Sequence, residues 1–153
     1  MLPPGNPADC RNSPGSVVVV DTSAILALID IGNPQRAALQ VALCKDPEGW
    51  VVPWAVLPEL DHMAARRLGL AATRMFRTDL AEGRFPIEWG TRDDLRRALE
   101  LDRTYRDLSL GLVDGVVMAV AERLEARAIV TLDLRDFGAV TLRGHPEIWP
   151  RDL

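Results

Sequence analysis

Four consecutive β-branched residues, Val17 to Val20, run without a break into Asp21-Thr22-Ser23, and no other stretch constrains the fold as much. An unbroken apolar run of this length, with Pro14-Gly15 just upstream, fits a strand covered on both faces, as in the middle of a parallel sheet. A half-exposed hairpin strand would alternate instead. A helical pattern over 24–30 follows directly. Asp21 is therefore expected at the carboxyl end of a buried strand, the edge where open α/β sheets bind their ligands.

The same alternation continues along the chain. Helical spacing covers 35–44 until Asp46-Pro47-Glu48-Gly49 breaks it, and Trp50-Val51-Val52 then reads as a second strand closed by Pro53. The next helix starts near 54–57 and reaches about Leu68, with Val56, Leu60, Met63, Ala64 and Arg67 on one side and Glu59, His62 and Arg66 on another. Gly69 separates it from a helix over 70–82, which Gly83 ends. Residues 85–89 form a short outer strand. Thr91 and Asp94 have the spacing of a capping box for a helix to about Asp102, with Leu95, Ala98, Leu99 and Leu101 partly buried. After a loop over 105–110, the strongest helical pattern covers 113–125, with Asp114 in its first turn, where the helix dipole favours negative charge. Residues 128–132 are a further buried strand, running into Asp133-Leu134-Arg135-Asp136-Phe137, and 140–142 is a candidate last strand before a tail. Strands alternating with helices predict an α/β fold: a three-layer α/β/α sandwich around a central, mainly parallel sheet.

A chain of 153 residues suits one such domain, placed at 17–153, behind a loose Pro- and Gly-rich tail at 1–16. The tail has no apolar core of a signal peptide, and no run approaches the roughly 20 residues that cross a bilayer, so a cytoplasmic protein is expected. Cys10 and Cys44 match no metal-ligand spacing, and His62 and His145 form no metal-binding pair. A net charge of −4 argues against a protein that coats nucleic acid electrostatically.

What remains is a set of scattered acids. Asp21 and Asp133 follow strands, Glu59 and Asp114 open helices, and all four positions fall on the same edge of a parallel sheet. Each acid singly has a plain structural use as a helix cap or a favourable charge at a helix start. Should they converge, two unit charges ~4 Å apart repel by roughly 4 kcal/mol at an effective dielectric of about 20, and a divalent cation removes that cost. All-oxygen ligation suits Mg²⁺ or Mn²⁺, and the chemistry that follows is hydrolysis of a phosphodiester. Whether Asp133 or Asp136 is the fourth acid stays open.

Four stretches, in this order and spacing, resemble the PIN domain, and within it the VapC-type ribonuclease toxins of type II toxin–antitoxin modules. They are Val-Val-Asp-Thr-Ser-Ala-Ile-Leu-Ala-Leu at 19–28, Val-Leu-Pro-Glu-Leu-Asp-His at 56–62, Gly-Leu-Val-Asp-Gly-Val-Val-Met-Ala-Val-Ala-Glu-Arg-Leu at 111–124, and Ile-Val-Thr-Leu-Asp-Leu-Arg-Asp-Phe at 129–137. The resemblance implies an Mg²⁺- or Mn²⁺-dependent endoribonuclease whose metal-binding and catalytic acids are Asp21, Glu59, Asp114 and Asp133. Ser23, Thr131 and Asp136 would support them. It also implies inhibition by a cognate VapB-like antitoxin, homodimerisation, and an RNA substrate such as an exposed tRNA or rRNA loop. Arg66, Arg67, Arg74, Arg77 and Arg135 are the candidates to steer the RNA backbone. Gly115 departs from the small Ala or Ser expected after the helix acid. A haloacid dehalogenase phosphatase is a poor match, because Ser23 stands where its second acid would be, and a receiver domain lacks its late lysine here, Lys45 being the sole lysine. The competing reading is a non-catalytic PIN-fold module that binds RNA or protein.

Overall fold

A computed structural model describes residues 16–153. The expected tail at 1–16 falls outside the described residues except for Ser16, and so does Cys10. Val18–Val20 forms β1, and all three side chains are buried although successive residues face opposite ways. Only a strand covered on both faces gives that pattern.

The chain then lays down α1 (Thr22–Ile29), α2 (Arg36–Lys45) and β2 (Trp50–Pro53), the last paired in parallel with β1 so that Val18 lies opposite Trp50. Next comes α3 (Val56–Ala81), broken as expected at Gly69, whose φ of 84° and ψ of 169° suit glycine and no side-chain-bearing residue. The outer strand β3 is Ile87–Glu88, followed by α4 (Arg92–Thr104), a short turn of 3₁₀ helix at Arg106–Leu108, and α5 (Leu112–Arg123). Finally β4 (Ala128–Val130), α6 (Leu134–Phe137) and β5 (Glu147–Trp149) complete the described chain. Strand order is β3-β2-β1-β4-β5, with every pairing parallel. The sheet is thus wholly rather than mainly parallel, β1 is its centre, and helices on its two faces make the α/β/α sandwich. The buried apolar side chains of β1, β2 and β4 join those of α1, α3 and α5 in one core. Among the described residues no helix is long and apolar enough to cross a membrane.

Two expectations are corrected. Residues 140–142 form no strand: Val140 and Leu142 are buried in a loop whose Thr141 amide donates to the Tyr105 hydroxyl at 3.0 Å. The fifth strand is instead Glu147–Trp149, inside what reads as a tail, since a three-residue edge strand between two prolines shows no periodicity. On α4, Leu95 and Leu99 are exposed, and the buried positions are Asp94, Ala98 and Leu101. Arg123 of α5 displaces the pattern: its Nε donates to Asp94 Oδ1 at 2.8 Å, which lets a charged residue take the inner face. Thr91 and Asp94 do form the capping box.

Gly115 marks the closest approach of α5 to α4, since a Cβ there would lie 3.0 Å from the Ala98 Cβ. Gly115→Ala gains helix propensity and loses room in similar measure. Gly115→Val is expected to lower stability by about 1–3 kcal/mol in urea melts, the usual cost of overpacking, and an unchanged midpoint would show that the α4–α5 contact is loose.

Candidate functional site

Asp21 follows β1 directly and caps α1, its Oδ2 accepting from the Ser23 amide at 3.4 Å. The same oxygen accepts from the hydroxyls of Ser23 at 2.8 Å and Thr131 at 2.9 Å. Each hydroxyl is used twice. Ser23 Oγ accepts from the Leu132 amide at 2.9 Å, and Thr131 Oγ1 from the Asp133 amide at 3.1 Å. The ends of the neighbouring strands β1 and β4 are tied together in this way, which is why residues 110 positions apart meet. Burial raises the Asp21 pKa above the ordinary carboxylate range, against the hydrogen bonds from Ser23 and Thr131 that pull it down. Thr131→Val leaves the buried Asp21 oxygen short of a donor, and a loss of about 1–3 kcal/mol is expected by denaturant titration. No loss would mean that the hydroxyl plays no part in holding Asp21.

Asp133 caps α6, accepting at Oδ1 from the amides of Arg135 and Asp136 at 3.1 and 3.4 Å. Asp136, one turn on, is buried, and its Oδ1 has no hydrogen-bond partner. Asp114 stands in the first turn of α5. Carboxylate oxygens of Asp114, Asp133 and Asp136 lie within 4.8 Å of one another. The Asp114 pKa is pushed up to about 7, first by burial and then by the charges of Asp21, Asp133, Asp136 and Glu59. All five acids therefore act on one point.

Glu59, exposed in the first turn of α3, accepts from the Thr22 hydroxyl. With Asp21, Asp114 and Asp133 it lines a cleft of about 680 Å³. Asp21 and Glu59 border the tight trio without joining it, and Asp136, expected only in support, belongs to it. Asp133 and Asp136, between which the sequence leaves the choice open, both lie in the trio. Three hard oxygen donors, one of them a buried oxygen that accepts no hydrogen bond and lies 3.8 Å from the Arg135 guanidinium, fit a divalent cation.

The arginines divide. Arg67 lines the cleft, at the far end of a Glu59, Met63, Arg67 row rather than packed beside Val56 and Leu60 as its spacing suggests. Arg77 is held by both oxygens of Asp61, at 2.6 and 2.9 Å, away from the lining. Arg66 and Arg74 are exposed and outside the cleft, and Arg135 lies 3.8 Å from Asp136 Oδ1. Asp30 and Asn33 also line the cleft. In the sequence they show only as parts of a helix stop around Gly32-Asn33-Pro34.

The PIN domain model matches residues 18–141. The chain belongs to the PIN domain family. It is 31% identical over 123 residues to Ribonuclease VapC26 of Mycobacterium tuberculosis, an alignment covering 80% of this chain and 91% of that protein. Its fold is similar to the crystal structure of M. tuberculosis VapC20, a toxin that cleaves the sarcin-ricin loop, with a TM-score of 0.71 at 21% identity over 84% of this chain and 99% of that one. It is also similar to DNA-bound VapBC from Salmonella typhimurium, with a TM-score of 0.67 at 15% identity over 86% and 96% of the two chains. The acid trio, Asp21 and Glu59 thus stand on the strand and helix ends of a PIN fold.

Proposed function

We propose that this PIN domain is a divalent-metal-dependent endoribonuclease, using Mg²⁺ or Mn²⁺ to hydrolyse RNA phosphodiester bonds as the toxin of a toxin–antitoxin pair. The observation that carries the reading is the meeting of Asp114, Asp133 and Asp136 within 4.8 Å, with Asp136 Oδ1 buried and accepting no hydrogen bond. These three would hold the cation, with Asp21 and Glu59 at its border. A divalent ion bound there supplies an activated water and neutralises charge on the scissile phosphate. Asp21 is held by Ser23 and Thr131 with its carboxylate at the sheet edge. Glu59 is oriented by Thr22 and faces the cleft, placed to take a proton from the attacking water.

The likeness to VapC and VapBC proteins supports a VapB-like antitoxin as partner and RNA as substrate; the further proposal is an unpaired loop of tRNA or rRNA as the target and a cytoplasmic homodimer as the working form. The non-catalytic alternative accounts for the caps made by Asp21 and Asp133 but not for the gathering of Asp114, Asp133 and Asp136. Purified protein incubated with total RNA separates the two. Discrete fragments are expected with Mg²⁺ or Mn²⁺ and none with chelator, and Asp136→Asn should weaken cleavage. Intact RNA with either ion, or equal cleavage by the variant, would contradict the proposal.

A further inference from the structure

Arg67 is the only basic side chain among the described residues lining the acid cleft. Its guanidinium is exposed, and no hydrogen bond or ion pair to another described residue engages it, in contrast to Arg77 on Asp61. Glu59, Met63 and Arg67 recur every four residues on the unbroken part of α3, so Arg67 lies two turns, about 12 Å of rise, beyond Glu59. That gap explains why the arginine is not neutralised by the acids. The wall of the cleft also carries apolar side chains, Met63 on α3 between Glu59 and Arg67 and Leu26 and Ala27 on α1, with Asp30 and Asn33 just past the end of α1. The cleft thus runs from an anionic cluster that suits a cation, past apolar side chains, to the exposed and unengaged charge of Arg67.

We propose that Arg67 binds a second phosphate of the substrate strand, not the one that is cut, with a nucleobase seated on those apolar side chains. Alternating phosphate and base contacts is how unpaired nucleic acid is held without strict sequence choice. A cleft of about 680 Å³ has the size of a small-molecule site, which is typically about 300–1,000 Å³, and so suits one or two unpaired nucleotides. The cleft therefore selects single-stranded RNA long enough to reach from the acids to Arg67. This assignment rests on the nuclease reading and refines its substrate class.

The test is binding of a short, mixed-sequence, fluorescently labelled single-stranded RNA and of a blunt duplex of the same length, by anisotropy across a salt series in Ca²⁺ buffer, the probe checked for integrity on a gel. Arg67→Ala should weaken single-strand binding roughly fivefold, as expected for one exposed charge contact. It should also reduce the slope of log K against log salt by about 0.7, the value for one phosphate contact on a single strand. Arg67→Lys should retain the slope. Arg92→Ala, exposed at the start of α4 and outside the cleft, should match the original protein. Stabilisation by Mn²⁺ in a thermal melt should be the same for Arg67→Ala as for the original. An unchanged slope in Arg67→Ala, a lost Mn²⁺ shift, or duplex bound as tightly as single strand would each overturn the assignment. Failure of the original protein to bind the single strand at any salt would overturn it as well. A protein that binds RNA through Arg67 and never cleaves it would instead refute the nuclease reading and leave the binding role standing.

Discussion

Asp114→Asn is expected to lower metal-dependent RNA cleavage by on the order of 10²–10³-fold, the scale seen when one preorganised charged or polar group is removed from a reacting centre. The same variant, in chelator at pH 8, is expected to be at least as stable as the original protein. The two outcomes belong together. Asp114 carries a pKa near 7 because burial and four neighbouring carboxylates oppose its charge, so an uncharged isostere relieves repulsion as it removes a ligand. A residue kept for folding would lose both activity and stability. Initial cleavage rates and urea midpoints on the same preparations decide the matter, and a variant destabilised by more than about 1 kcal/mol in chelator would assign Asp114 a structural role instead.

The second large effect is in pH. An acid whose pKa is raised on folding, here from 3.8 to about 7, holds its proton more tightly in the folded chain than in the unfolded one. Its contribution to metal-free stability is therefore complete below the ordinary carboxylate range and is lost as pH rises through about 7. Asp21, also raised, acts in the same direction. Asp114 is partly exposed, so the full shift overstates the cost, and a loss of about 1–2 kcal/mol between pH 5 and pH 8 is expected once solvent screening is allowed for. Asp61 and Asp152, whose pKa values are lowered by Arg77 and Arg151, act at more acid pH and leave this window alone. Mn²⁺ at pH 8 should restore what was lost, because a ligand that binds the folded state stabilises it by mass action. Denaturant titrations with chelator at the two pH values check this. Stability that is flat or rising over the window would contradict the shared field at Asp114.

The sheet was legible in the sequence wherever strands are buried on both faces, because Val17 to Val20 and Ala128 to Leu132, the latter interrupted only by Thr131, stand out as apolar runs followed at once by an acid. The edge was not. Glu147–Trp149 is three residues between prolines, and its pairing with β4 is a tertiary fact. On α4, periodicity favours Leu95 and Leu99, and only the Arg123 ion pair, which comes from another helix, explains why Asp94 lies inside. The acids could be named individually from their places after strands and at helix starts. Their grouping could not, since the inclusion of Asp136 depends on α6 turning at once after Asp133. In the same way helical spacing puts Arg67 on a row with Glu59 and equally on one with Val56 and Leu60. Packing of α1 against α3 makes the choice.

The claim beneath all of this is that Asp114, Asp133 and Asp136 share one cation. A crystal soaked in Mn²⁺ and measured for anomalous scattering tests it most directly. One strong peak within bonding distance of all three carboxylates, including the Asp136 oxygen that accepts no hydrogen bond, is the predicted result. Mn²⁺ found only elsewhere, with the three side chains turned apart, would contradict it.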